Sequence, residues 1–223
     1  MPHYTPKQLV ESDPWNEIVD FEIFTLDQGY EDEGIRKIER TTDAKHEVIV
    51  ALGSELIYES NLGRATLKRR DWLQIPDGGC AISSMRSVTT PYFASSVFYP
   101  GEVLRIAGDW DFINHISIFQ FRPDRPLAVH YHDFNEYWFV FRGHPLATHD
   151  DDEVQLHPGI LFATRAGHEH GIADPEEVVE GVGLQTSLIG RKRQGHLHRD
   201  VEGAPLTSAV WTILMASAAM PAS

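Results

Sequence analysis

From about residue 20 to residue 190, short runs rich in β-branched and aromatic residues alternate with clusters of Gly, Pro, Asp and Asn. HEVIVALG, ELIYES, ISIFQFRP, EYWFVFRG and EGVGLQTSLIG are examples. Strand-length apolar runs bounded by turn residues and repeated along a chain predict a β-sandwich or barrel. Helical periodicity is confined to the two ends. PKQLVESDP predicts a turn or two, and Leu206, Val210, Trp211, Leu214 and Met215 form one stripe of a longer C-terminal helix. The segment Leu206 to Met220 is too short, and too diluted by Ser, Thr and Ala, to span a bilayer. The expected fold class is therefore all-β with short helices at the termini.

The apolar pattern also repeats. HEVIVALGSELIYES aligns with NEYWFVFRGHPLATH, so that Glu47 and Glu136 each open an apolar strand that ends in glycine. Farther on, RRDWLQIPDGGCAI lies over PGILFATRAGHEHGI. Setting Gly78 on Gly167 brings Pro76 opposite Arg165 and Ala81 opposite His170. The order of a glutamate-led strand, a turn and a glycine-containing loop in both halves predicts two β modules of similar build. The first of them lacks the histidines of the second.

Composition narrows the partners. The 223 residues are 42% hydrophobic and 23% charged, an ordinary globular balance. A formal charge of −14 and a pI near 5.2 set the mean field against phosphate backbones and anionic lipid surfaces. Neither a nucleic acid nor a membrane is expected as a partner, and Arg191, Lys192 and Arg193 are read as solvated surface. Cys80 is the single cysteine, which excludes an intramolecular disulfide, and MPHYTPKQLVESDPW carries no basic-then-apolar leader pattern. A reducing cytoplasm is the expected location.

The densest chemistry lies at His130-Tyr131-His132-Asp133-Phe134-Asn135-Glu136, followed a hairpin later by His168-Glu169-His170. Alternate residues of a strand share a face, so His130 and His132 point the same way, and Glu136 returns to that side on the next strand. A histidine from a later strand completes a set of imidazoles and one carboxylate. Such a set suits one divalent transition ion: Fe(II), Mn(II), Ni(II), Zn(II) or Cu(II). His196-Leu197-His198 has no carboxylate or third histidine at ligand spacing. Asp150-Asp151-Asp152-Glu153 lacks the alternation and glycine of a calcium loop and reads as a solvated hairpin turn. Nothing basic adjoins Cys80 in sequence to make it a nucleophile.

These residues resemble the motifs of the cupin superfamily. Its first motif is a glycine, five residues, H-x-H, three or four residues, E, six residues and G. HYHDFNEYWFVFRG matches from His130 to Gly143, while the leading glycine is absent, with Asp124 or Arg125 near its place. The second motif, G-x5-P-x-G-x2-H, runs from Gly159 through Arg165 and Gly167 to His170, with arginine in place of proline. The resemblance implies a bicupin of two jelly-roll barrels, with metal held by His130, His132, Glu136 and His170 in the second. His168 is the competing fourth ligand, disfavoured by spacing. The expected division is a degenerate barrel over residues 1–105, a metal-binding barrel over 106–200 and a helical tail over 201–223.

In such a barrel Trp138 and Val140 alternate with Glu136 and line or floor the cavity, and Phe162 joins them as a pocket residue. Tyr137, Phe139 and Phe141 then face outward, where they need a cover from the first barrel, the C-terminal helix or a second subunit. On that ground a homodimer is expected. The nearest acid or base candidates are His168, Glu169 and Tyr131, with His144 farther along. An aromatic wall favours a small organic substrate that chelates Fe(II) in a dioxygenase. Isomerase, epimerase or lyase chemistry on Zn, Mn or Ni is the alternative, and a metal-dependent binding protein or sensor is the reading outside catalysis.

Overall fold

Sixteen strands account for the regular structure in a computed structural model that describes residues 17–26, 35–40, 43–53, 55–84 and 101–186. The first eight are β1 Ile18–Thr25, β2 Ile35–Ile38, β3 His46–Ala51, β4 Leu56–Ser60, β5 Gly63–Leu67, β6 Trp72–Gln74, β7 Cys80–Ser84 and β8 Glu102–Gly108. The second eight are β9 Ile113–Phe121, β10 Leu127–His130, β11 Asn135–Arg142, β12 Leu146–His149, β13 Asp152–Gln155, β14 Leu161–Thr164, β15 His170–Ile172 and β16 Val179–Thr186. The two expected terminal helices, His196, His198 and the basic run Arg191 to Arg193 lie outside the described residues.

The two sets of eight strands share one topology. The first set forms sheets ordered β1-β8-β3-β6 and β2-β7-β4-β5. The second forms β9-β16-β11-β14 and β10-β15-β12-β13, the same orders advanced by eight. Every pairing is antiparallel. The repeat seen in the sequence is thus a duplication of one jelly-roll unit. The expected boundary at residues 105 and 106 falls inside β8, which pairs along its length with β1 and β3; partners change between Gly108 and Ile113.

The pairing moves one alignment by a residue. Ile38 pairs with Cys80 in the first unit as His130 pairs with His170 in the second, so the counterpart of His170 is Cys80 and not Ala81. One residue, Gly79, separates Gly78 from β7, whereas His168 and Glu169 separate Gly167 from β15. An ungapped overlay cannot register that insertion.

The unbroken apolar runs of β3 and β11 follow from burial on both faces. One face of each packs against the other unit. Phe21, Val48, Val50, Leu104 and Ile106 meet Tyr137, Phe139, Leu161, Val182 and Leu184 in one core, with Phe21 edge-on to Phe139 at 4.9 Å and 74°. The cover expected over the outward aromatics is therefore the first barrel, with Phe141 partly buried at its margin. The opposite faces fill the two barrel interiors. Ile49, Ala51, Leu56, Ile75, Ile82 and Val103 pack in the first, and Trp138, Val140, Ala147, Leu156, Phe162 and Ile172 in the second.

Candidate metal centre

Four side chains converge inside the second barrel from three strands and one loop. His130 ends β10, His132 lies just beyond it, Glu136 is the second residue of β11 and His170 opens β15. All are buried, between 0% and 6% exposed. Two hydrogen bonds tie the loops that carry them: Gly167 N donates to His132 O at 2.7 Å, and Ala166 N to Asn135 Oδ1 at 3.1 Å. Gly167 sits at φ +88°, a left-handed turn that a side chain would strain, which explains the glycine three residues before His170. Gly143 at φ +85° likewise ends β11, where an added Cβ would lie 2.7 Å from Val178 O.

The imidazoles are held through Nδ1. Nδ1 of His130 donates to Ala128 O at 2.7 Å, that of His132 to Phe134 O at 2.7 Å, and that of His170 to His168 O at 3.1 Å. Because a carbonyl only accepts, each Nδ1 carries hydrogen, and Nε2 is the atom each ring would present to a cation once it gives up any proton shared with Glu136. The His132 ring is further held by stacking on buried Phe134 at 3.8 Å and 8°. His170 Nε2 and His132 Nε2 stand 3.0 and 3.3 Å from the same oxygen, Glu136 Oε2. Two ligands at about 2.1 Å from one ion and at right angles to each other lie about 3.0 Å apart, so this spacing fits adjacent ligands of a single ion. The four donor atoms lie within 4.8 Å of one another and could hold a metal.

Electrostatics agree. Burial works to raise the Glu136 carboxyl, but hydrogen bonds and charge from His132 and His170 outweigh it and hold the group well below the usual carboxylate range. The carboxylate is thus ready to bind a cation. Its second oxygen, Oε1, accepts from Gln185 Nε2 at 2.5 Å.

Gln185 and Thr164 were missed from sequence. Both pair directly with Glu136 across β11, from β16 and β14, and are 5% and 1% exposed. Residues at one level of adjacent strands share a face, so they flank the carboxylate inside the barrel. Gln185 Oε1 and Thr164 Oγ1 are buried polar atoms that lack a hydrogen-bond partner among the described residues. Alternation on β16 and β14 was the signal that could have found them, but it needs the register of both strands.

The expected pocket residues lie in the hydrophobic core of the second barrel. Trp138, Val140 and Phe162 are 2%, 0% and 6% exposed, and the Trp138 ring lies 5.4 Å from that of His170 and 5.0 Å from that of Phe162. Phe119 and Phe121 extend this aromatic layer at 6.0 Å from Trp138. The expected acid and base residues are less convergent. His168 turns to the rim, its Nδ1 2.6 Å from Asp150 Oδ2 with both side chains 44% exposed. Glu169 meets Asp150 through its backbone, and Tyr131 is half-buried between the two histidines of the first motif. His144 Nδ1 lies 3.1 Å from Glu177 Oε1, with its side chain 66% exposed.

The first barrel carries a different solution at the same place. Glu47, the counterpart of Glu136, is 0% exposed and is bonded by Arg105, whose Nε lies 3.0 Å from Glu47 Oε2 and whose Nη2 also donates to that oxygen. Arg105 pairs with Ile49 as Gly183 pairs with Trp138, so a guanidinium occupies space that a glycine leaves open in the second barrel. With Ile38 and Cys80 in place of His130 and His170, a built-in cation neutralises the carboxylate.

No family model matches the chain. Among curated proteins it resembles the uncharacterized protein y4oW of Sinorhizobium fredii, 27% identical over 135 residues; the match covers 53% of this chain and 62% of that protein's length. Among solved structures it is similar to the oxalate decarboxylase of Lactobacillus farciminis in a formate complex. The TM-score is 0.57 at 9% identity, over 99% of this chain and 88% of that one. A looser likeness joins it to the vicilin of tomato, Solanum lycopersicum, with TM-score 0.46 and 10% identity over 86% of each chain. Among the described residues no helix is long and apolar enough to cross a membrane. Duplicated jelly-roll topology and the likeness to the decarboxylase together give the conclusion that this chain has the cupin fold in a two-barrel arrangement.

Proposed function

We propose that the second barrel is the active site of a metal-dependent oxygenase acting on a small organic substrate that chelates the ion. The observation that supports this is the layered interior: three Nε2 atoms and one carboxylate preset for a single ion, set directly on an aromatic floor. Bound there, Fe(II) would supply electrons to dioxygen, and any of the candidate divalent ions would act as a Lewis acid. The chain supplies the rest. Trp138, Phe162, Phe119 and Phe121 exclude water from the lower side of the site. Gln185 holds Glu136 through Oε1 and leaves Oε2 toward the histidines. Its own Oε1, with Thr164 Oγ1, offers polar contacts to a substrate donor or to an ordered water.

Isomerase or lyase chemistry needs a positioned acid or base beside the ion. His168 is drawn away by Asp150, and this favours the oxygenase reading over its alternative. The test combines elemental analysis with oxygen uptake. Protein purified anaerobically is expected to carry close to one ion per chain in this centre, lost in His132→Ala and in Glu136→Gln. Under Fe(II) it is expected to consume oxygen with chelating diketone-like or aromatic substrates. Equal turnover under nitrogen would move the reading to isomerase or lyase, and retention of that ion in both variants would overturn the site.

A further inference from the structure

A second group of metal-type ligands stands at the rim of the same barrel: His149 at the end of β12, Asp150 in the turn to β13, and His168 in the loop before β15. Their donor atoms lie within 4.8 Å of one another. We propose that His149, Asp150 and His168 form a second, solvent-accessible site for a borderline-soft divalent ion of the Zn(II), Ni(II) or Cu(II) class. This is independent of the oxygenase reading, since it uses none of the four ligands of the inner centre.

Geometry makes this more than an exposed acidic turn. The two imidazole rings are nearly parallel, 11° apart with centroids at 5.5 Å, and both Nδ1 atoms face the same carboxylate oxygen. Asp150 Oδ2 lies 2.6 Å from His168 Nδ1 and 3.9 Å from His149 Nδ1. Three ligands at about 2.1 Å around a tetrahedral ion are about 3.4 Å apart, so small opposite shifts of the two rings bring all three into range.

The carboxylate is placed in advance. Asp150 is in the left-handed region at φ +51°, and two hydrogen bonds to Glu169 hold it there: Oδ1 accepts from Glu169 N at 2.9 Å, and Asp150 N donates to Glu169 O at 2.8 Å. Two imidazoles and one carboxylate match zinc-type ions and not calcium, which takes oxygen ligands only. The side chains are 30% to 44% exposed, leaving water to complete the coordination.

An ion here would join the β12–β13 turn to the loop that leads into β15. That loop includes His168 O, the acceptor that orients His170 Nδ1. The outer ion would therefore brace a wall of the inner centre without entering it.

The test is a metal titration of the full chain after chelator treatment, read by bound Zn(II) after gel filtration and by the d–d absorbance of Co(II). Two equivalents per chain are expected for the unaltered protein. Asp150→Asn and His149→Gln should each weaken the second by at least about tenfold and leave the first. Glu136→Gln should lose the first and keep the second. Should Asp150→Asn fail to fold, as circular dichroism would reveal, His149→Gln carries the test alone, because that ring is part of no backbone turn. A single equivalent in the unaltered protein would overturn the proposal. So would a second equivalent that survives His149→Gln but disappears in His196→Ala.

Discussion

Replacing Arg105 by leucine tests whether the first barrel depends on a fixed cation beside Glu47, the counterpart of Glu136. The substitution leaves the Glu47 carboxylate at 0% exposure without its guanidinium. Removing one partner of a buried ion pair costs about 3–5 kcal/mol, because the remaining charge has lost its solvent and its counter-ion. The carboxylate can escape by taking a proton, and that sets a ceiling. With an ordinary carboxyl pKa near 4.3, protonation costs about 5 kcal/mol at pH 8 and about 1 kcal/mol at pH 5. In the variant the folded-state value is raised above the unfolded one, so the loss of stability is small at pH 5 and grows as pH rises through the folded value. Urea unfolding of the unaltered protein and of Arg105→Leu at both pH values measures it. The double variant Glu47→Leu, Arg105→Leu removes both charges and is expected within about 1 kcal/mol of the unaltered protein, or above it. A penalty equal at the two pH values, or a double variant as unstable as the single, would refute the reasoning.

Four further outcomes follow from the same structure. Cys80 is buried and its thiol is pushed up to about 11 by desolvation, so iodoacetamide at pH 8 should label the urea-unfolded chain quickly and the native chain at least about tenfold more slowly. Tyr137→Phe removes a hydroxyl that donates to Glu17 Oε2 at 2.9 Å and accepts from Glu17 N at 3.1 Å; a loss of about 1–2 kcal/mol is expected in thermal or urea unfolding. Glu136 has a folded pKa below its ordinary 4.5, so in metal-free protein its stabilising contribution is complete above about pH 4.5 and disappears as pH falls through the lower folded value. Bound metal should leave as pH falls, because protons compete for its ligands, and equilibrium dialysis against a pH series will follow the loss.

The inner centre and the rim cluster share a wall, and this bears on how the barrel works. His149 pairs with His170 across β12 and β15, and its ring meets Phe162 edge-on at 5.9 Å. Phe162 in turn packs on Trp138, which packs on His170. The rim cluster thus adjoins the inner one through one strand pairing and one aromatic layer.

How much of this was legible beforehand differs by residue. His130, His132 and Glu136 were readable because short-range alternation and a single turn decide where they point. His170 was expected over His168 from motif spacing, and it is His170 that joins the buried cluster, while His168 is taken by Asp150 and its carbonyl serves His170. Gln185 and Thr164 were invisible because their relation to Glu136 exists only in the register of two pairings distant in sequence. Arg105 was invisible for the same reason. Nothing local marks an arginine on an apolar strand as the partner of a glutamate 58 residues earlier.

The sequence by itself determined the strand-rich class, the duplication and the identity of the ligand-type residues, since periodicity, turn chemistry and motif spacing are properties of neighbours along the chain. Tertiary structure decided what covers the aromatics of β11, which residues flank Glu136, how Glu47 is neutralised and that His149, Asp150 and His168 meet. Each of those depends on which faces and strand edges are brought together across tens of residues, and pairing register and sheet packing set that outcome.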